Sequence, residues 1–217
     1  MRLYIGLIAA LALIAPAIAQ TTAAALERAR YQSCLDLAVE DAGAAFEEAL
    51  SWRIEGGGWP ARHCEGRARI ALGDDRRGAA LLDEALSALP EIDRAAAPDL
   101  AEDAAAGWLE ADDAAAAIAS AQAGLAEDET RLGLWRLLAM AAARGTEWAL
   151  AEEAATRLVR LDEDNDDAWR ARAEARLELG DLDGARSDIE TALALDAENI
   201  ETLLMRGRIL EARRLRG

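Results

Sequence analysis

The sequence predicts an all-α solenoid of about five helical hairpins closed by a lone C-terminal helix. Three observations carry this reading. Trp135 and Trp169 stand 34 residues apart, and each opens a segment of the same layout. From Asn165 onward the chain reads as a helix, a turn containing Gly180, a second helix and a short acidic turn. Within that second helix Ala185, Ile189, Ala192 and Leu193 recur at three- and four-residue steps, which is one apolar stripe. A unit repeated at this period buries its apolar face only against its neighbours, so it stacks into a solenoid.

The elements follow in order. Met1 and Arg2 make a minimal basic start, Leu3 to Ala15 is apolar, and Pro16 breaks the run before the small-x-small pattern Ala17-Ile18-Ala19. This is the pattern of a secretory signal peptide over residues 1–19, cut after Ala19. The rival is an uncleaved anchor, since Leu3–Ala19 reaches the short end of the ~17–25 residues needed to span a bilayer. No Cys stands at the cut, which disfavours a lipoprotein. Residues 20–217 then form one solenoid domain.

Its first copy, 23–56, is degenerate, with Ala42, Phe46, Ala49 and Leu50 on the second helix. Gly56-Gly57-Gly58 reads as the turn into the second copy, 59–92, where Gly66, Gly73, Leu82, Ala85, Leu86 and Pro90 keep the phase. A five-residue insertion, Asp93 to Ala97, precedes the third copy, 98–131, marked by Ala101, Ala105, Trp108, Ala117, Ala121 and Leu125. The fourth, 132–165, has Trp135, Leu138, Ala139, Trp148, Ala151, Ala155 and Leu158, with Gly145 one place early for the turn. The fifth is 166–199. The segment 200–215 keeps Leu203, Gly207 and Leu210 in phase and ends in Arg213, Arg214 and Arg216, cations that suit a helix C-terminus. It reads as a capping helix over the last apolar face.

Trp169 on the first helix, Ala173 at the eighth place, Gly180-Asp181-Leu182 at the turn and Ala185 and Ala192 beyond closely resemble the tetratricopeptide repeat. The usual Pro near the repeat's end is Ala197 here. The resemblance covers nearly all of residues 20–217 and implies a right-handed α-solenoid whose first helices line a concave groove for a protein or peptide. Carried onto this chain, it places on the groove His63, Arg67, Asp99, Glu102, Arg136, Met140, Arg170, Glu174, Leu177 and Arg208, with Gly133, Ala143, Asp167 and Leu204 beside them. Arg67, Arg136, Arg170 and Arg208 form a row of guanidinium forks, suited to bidentate grip on carboxylates. The basic pattern of chaperone-tail-binding members is absent, as the chain has no Lys. Trp135, Trp148 and Trp169 fall at packing places, and Trp52 and Trp59 are expected to pack across the glycine turn.

The net charge is −17, and −18 once Arg2 is removed with the leader, which argues against nucleic acid and anionic lipid as partners. Most of the charges interleave at helical spacing, as solvated faces do. The two cysteines of an exported chain favour a Cys34–Cys64 disulfide. It would enclose 29 intervening residues and clamp the first hairpin to the second, at roughly 3 kcal/mol for a loop of this size. The repeat register, however, does not set the two cysteines level. A metal site or a catalytic Cys-His pair using His63 beside Cys64 is disfavoured, because adjacent helical residues point about 100° apart. Asp162 to Asp166 resembles the start of a calcium loop but lacks its Gly and Glu, and reads as an inter-repeat turn. No cofactor is called for. The expectation is a non-enzymatic periplasmic protein- or peptide-binding scaffold of a Gram-negative cell. The alternative is a structural accessory subunit of an envelope complex, binding through its convex face or termini.

Overall fold

The computed structural model describes residues 24–216; the expected signal peptide, 1–19, lies outside them. Eleven α-helices follow one another there: α1 (24–40), α2 (Ala42–Ile54), α3 (Gly58–Ala71), α4 (Asp75–Ser87), α5 (Ala97–Glu110), α6 (Ala114–Glu127), α7 (Leu132–Arg144), α8 (Trp148–Leu161), α9 (Asp166–Leu179), α10 (Leu182–Leu195) and α11 (Ile200–Arg216). Five hairpins, α1–α2 to α9–α10, stack in sequence, and α11 packs on α9 and α10. This is the all-α solenoid the spacing predicts.

The 34-residue register is visible in the helix starts. α6, α8 and α10 begin at 114, 148 and 182, and α7, α9 and α11 at 132, 166 and 200. Asp128, Asp162 and Asp196 end the preceding helices in extended conformation at the same interval. The five-residue insertion is taken up by a 3₁₀ turn over Glu91–Ala96, with Pro90 extended before it. Asn165, the last residue of the calcium-like run, is the N-cap of α9, and its side chain accepts from the Ala168 amide at 3.1 Å.

Each hairpin turn from the second onward places one residue in the left-handed region: Gly73, Asp112, Thr146 and Gly180. This explains the apparently early Gly145, since the place that demands positive φ belongs to Thr146, at φ 58°.

The core is built from Ala, which lets the helices lie close. Three joints also hold a bound acid, fully buried at Glu65 and Asp188 and half-buried at Asp83. Asp188 on α10 is 2% exposed and accepts from Arg172 at 2.8 and 2.7 Å and from Arg176 at 2.7 Å. Glu65 on α3 is bound by Arg53 and by Arg69 at 2.8 Å. Asp83 on α4 accepts from the Trp108 indole at 2.7 Å and the Ser120 hydroxyl at 2.8 Å.

The indoles of Trp135 and Trp169 are half-buried rather than fully enclosed. Each donates at 2.8 Å to the carbonyl six residues earlier, Glu129 and Glu163, and so pins the turn arriving from the preceding hairpin. Trp52 is buried and Trp59 half-buried. They donate to Glu27 at 3.2 Å and to Asp93 at 2.9 Å.

Cys34 and Cys64 form a disulfide with Cα atoms 5.9 Å apart. The repeat register alone sets them at different heights. The first hairpin departs from it, because α1 runs to residue 40 and a single residue, Asp41, separates it from α2. Both sulfurs being joined, neither thiol is available to a metal or as a nucleophile. No helix among the described residues is long and apolar enough to cross a membrane.

Candidate partner-binding groove

The first helices of successive hairpins stand side by side, with α3 against α5, α5 against α7, α7 against α9 and α9 against α11. Between α7 and α9 their shared face opens into a cavity of about 630 Å³. Four of the residues expected on the groove line it: Arg136 and Met140 from α7, and Arg170 and Glu174 from α9. Gly133, Ala143 and Asp167 line it too. The 34-residue register brings them together, since Arg136 and Arg170, like Met140 and Glu174, hold equivalent places on neighbouring helices. Met140 is 43% exposed, a soft apolar group at the rim.

The floor was not foreseen. Ala151 and Leu158 of α8 reach it from behind, and Asn165 and Arg144 close its ends. Their signal was present, since Ala151 and Leu158 lie on the α8 stripe that follows α7, but the repeat pattern assigns that stripe wholly to packing. Arg144 is held in place by a 2.6 Å hydrogen bond to the Leu109 carbonyl.

The row of guanidinium forks is mostly engaged already. Arg170 pairs with Asp167 at 2.7 Å and Glu201 at 3.1 Å, and Arg208 with Glu174 at 3.0 Å and Glu178 at 2.8 Å. Arg67 lies 3.6 Å from Asp103. Asp99 and Glu102 are both taken by Arg131, at 2.6 and 2.7 Å, and the Glu102 carboxylate packs over Gly133 where a Cβ would collide with it. Arg136 is exposed and has no ion-pair or hydrogen-bond partner among the described residues. Arg170 Nε is buried in the same cavity without a partner. Of the remaining expected residues, Leu177 turns into the α9–α10–α11 core beside Ile189 and Met205.

His63 requires a correction. It is 1% exposed, so it offers no surface to a ligand. Its Nε2 lies 2.7 Å from Asp103 on α5 and its Nδ1 2.5 Å from the Tyr31 hydroxyl on α1. A carboxylate only accepts, so Nε2 carries the proton, and in the neutral ring Nδ1 accepts from the Tyr31 hydroxyl. The ring thus joins three hairpins in a polar rung. Burial, reinforced by Asp99 and Asp103, pushes the Tyr31 phenol far above its ordinary pKa. Nothing in the repeat pattern marks a buried His, because its partners come from helices 32 residues before and 40 after it.

No family model matches the sequence, and no curated protein matches it. Solved structures do. MamA from Desulfovibrio magneticus RS-1 is 20% identical, with a TM-score of 0.66 over 82% of this chain and 97% of that one. YrrB, described as a TPR protein with an unusual peptide-binding site, is 13% identical, with a TM-score of 0.69 over 80% of this chain and 90% of that one. The second TPR domain of human RPAP3, solved in complex with an HSP70 peptide, is 26% identical, with a TM-score of 0.52 over 54% of this chain and 98% of that one. The hairpin period, the small residues where paired helices touch and these likenesses agree: the chain folds as a tetratricopeptide-repeat solenoid.

Proposed function

We propose that the protein is a non-enzymatic scaffold that binds a peptide or protein segment on the face of its first helices, centred between α7 and α9. The observation that carries this is the α7–α9 cavity, which combines an apolar rim at Met140 with the Arg136 guanidinium, free of partners among the described residues. Such a site suits a segment with an apolar side chain flanked by a carboxylate, gripped by the Arg136 fork. The peptide-bound RPAP3 domain and the peptide-binding site named for YrrB support this use of the fold. A periplasmic setting for the scaffold rests on the signal-like residues 1–19 and on the disulfide, which persists in oxidising compartments.

The test is photo-crosslinking in the native cell from a probe placed at Met140. The chain has no Lys, so amine-reactive reagents are of little use here. A specific adduct is expected, and Arg136→Glu should reduce its yield at least about tenfold, the scale of losing one charge-assisted contact. Arg136 is the better choice for mutation than Arg170, whose removal would also free Asp167 and Glu201. An accessory subunit that binds through its convex face or termini would keep its partner in the Arg136→Glu variant, and that result sinks the groove.

A further inference from the structure

The last helix is more than a cap. α11 starts 34 residues after α9, so its residues correspond one to one with those of a first helix. Leu203 stands where α9 has Trp169, Arg206 where it has Arg172, Gly207 where it has Ala173 and Leu210 where it has Arg176. In α9 the places of Arg172, Ala173 and Arg176 hold the second helix of the hairpin, while Trp169 packs against the preceding one. Ala173 is fully buried in a cluster with Ala185 and Ile189 of α10, and Arg172 grips Asp188 of α10 with both arms. In α3 the small residue at the same place, Gly66, is so tightly covered that a Cβ would stand 2.6 Å from Leu82 of α4.

On α11 the same face is bare. A Cβ added at Gly207 meets nothing within 4 Å, and Leu203 and Leu210 are 37% and 53% exposed. Arg206 is exposed and has no partner among the described residues, although its equivalent, Arg172, holds Asp188 through two hydrogen bonds. Other residues of α11 seat it on the hairpin before it. Met205 and Ile209 are buried in the α9–α10 core, Arg213 bonds Asp183, and Arg216 donates to the Gly180 carbonyl at 2.9 Å. α11 is therefore seated as a first helix whose second-helix face is uncovered among the described residues.

We infer that this face docks an acidic amphipathic helix of a partner protein, seated on α11 as α10 is seated on α9. The chemistry of the occupant is read from α10 itself: small or branched apolar residues at the places of Ala185, Ile189 and Ala192, and a carboxylate at the place of Asp188 to meet Arg206. Charge agrees. Residues 200–216 carry five Arg against two Glu, in a chain whose net charge is −17. A second copy of this chain is a poorer occupant, because the matching faces of its own second helices are already covered by their first helices.

The probe is a peptide of residues 181–196, held helical by a lactam between positions 186 and 190, which face solvent in α10. Isolated helices of this length are marginal without such a brace. Fluorescence anisotropy with the full chain should show saturable binding. Arg206→Glu should weaken it at least about tenfold, the scale for breaking one arm of a desolvated charge pair, and Gly207→Leu should block the close approach. A peptide carrying Asp188→Arg should recover binding to Arg206→Glu. Both protein variants lie at open positions, so unchanged melting temperatures confirm that they fold. No binding, or binding indifferent to both substitutions, overturns the inference. So does binding lost on Arg136→Glu instead, which would place the peptide in the groove. Sedimentation showing a dimer that Arg206→Glu dissociates would assign the face to a second copy and overturn it likewise.

Discussion

The disulfide is expected to hold the first hairpin far more than it holds the molecule. Within α1 only Cys34 and Ala38 are fully buried, and the cluster they join is mostly Ala from α2 and α3. Each methyl in such a cluster contributes only about 0.8 kcal/mol. The bond spans a sequence separation of 30, and a loop of that size restrains the unfolded hairpin by about 3 kcal/mol. That is a factor of about a hundred or more in an opening equilibrium. In a solenoid each hairpin touches only its neighbours, so the loss should stay at the N-terminal end. Replacing both cysteines with Ser, or adding reductant, should therefore speed amide hydrogen exchange in α1 and α2 by ~10²-fold. Exchange in α9 and α10 should hardly change. Unchanged protection in α1 would show that packing alone holds the hairpin. A uniform loss along the whole chain would refute the picture of locally independent ends.

Other expectations follow from single contacts. Thr146 is a β-branched residue at φ 58°, so Thr146→Gly should stabilise the fold by about 1 kcal/mol, read as a melting temperature higher by a few degrees. Asp188→Ala should cost about 3–5 kcal/mol in urea denaturation, because it strands Arg172 at a buried joint and leaves Arg176 only Glu152. Gly66→Ala should cost about 1–3 kcal/mol, since the new methyl meets Leu82 and the Gly78 carbonyl. Tyr31 keeps its proton in the folded chain above the ordinary tyrosine pKa of about 10. Stability should therefore be insensitive to this group below that pH. Above it stability should fall, as only the unfolded chain releases the proton. Ultraviolet titration of phenolate in the folded protein, with Tyr31→Phe as the control, checks the sign.

The helices were legible because Trp135 and Trp169 mark a register that every later helix start obeys. The groove was half legible. A repeat register gives the direction in which Arg136 or Arg170 leaves its helix, but not what it meets. Arg170 and Arg208 find carboxylates on adjacent helices because those carboxylates share their face, and Arg136 finds none among the described residues. His63 escaped for a related reason, since its burial depends on Tyr31 and Asp103 arriving from two other hairpins. The level of Cys34 is not legible in the repeat register because the first hairpin has its own helix length and turn. Asp188 could have been found. It sits inside the stripe formed by Ala185, Ile189 and Ala192, and the preceding helix carries Arg172 and Arg176 four residues apart, a pair positioned to receive it.

The indole hydrogen bonds of Trp135 and Trp169 have one more consequence. They sit at the entrances of α7 and α9, the two walls of the groove cavity, and each fastens its helix to the turn before it. Both walls are thus latched from outside the cavity by the same bond, one period apart. If a segment binds there as proposed, two helices anchored in this way leave it less rearrangement of the scaffold to drive. Selectivity at this slot would then come from the ligand's width as much as from its charge.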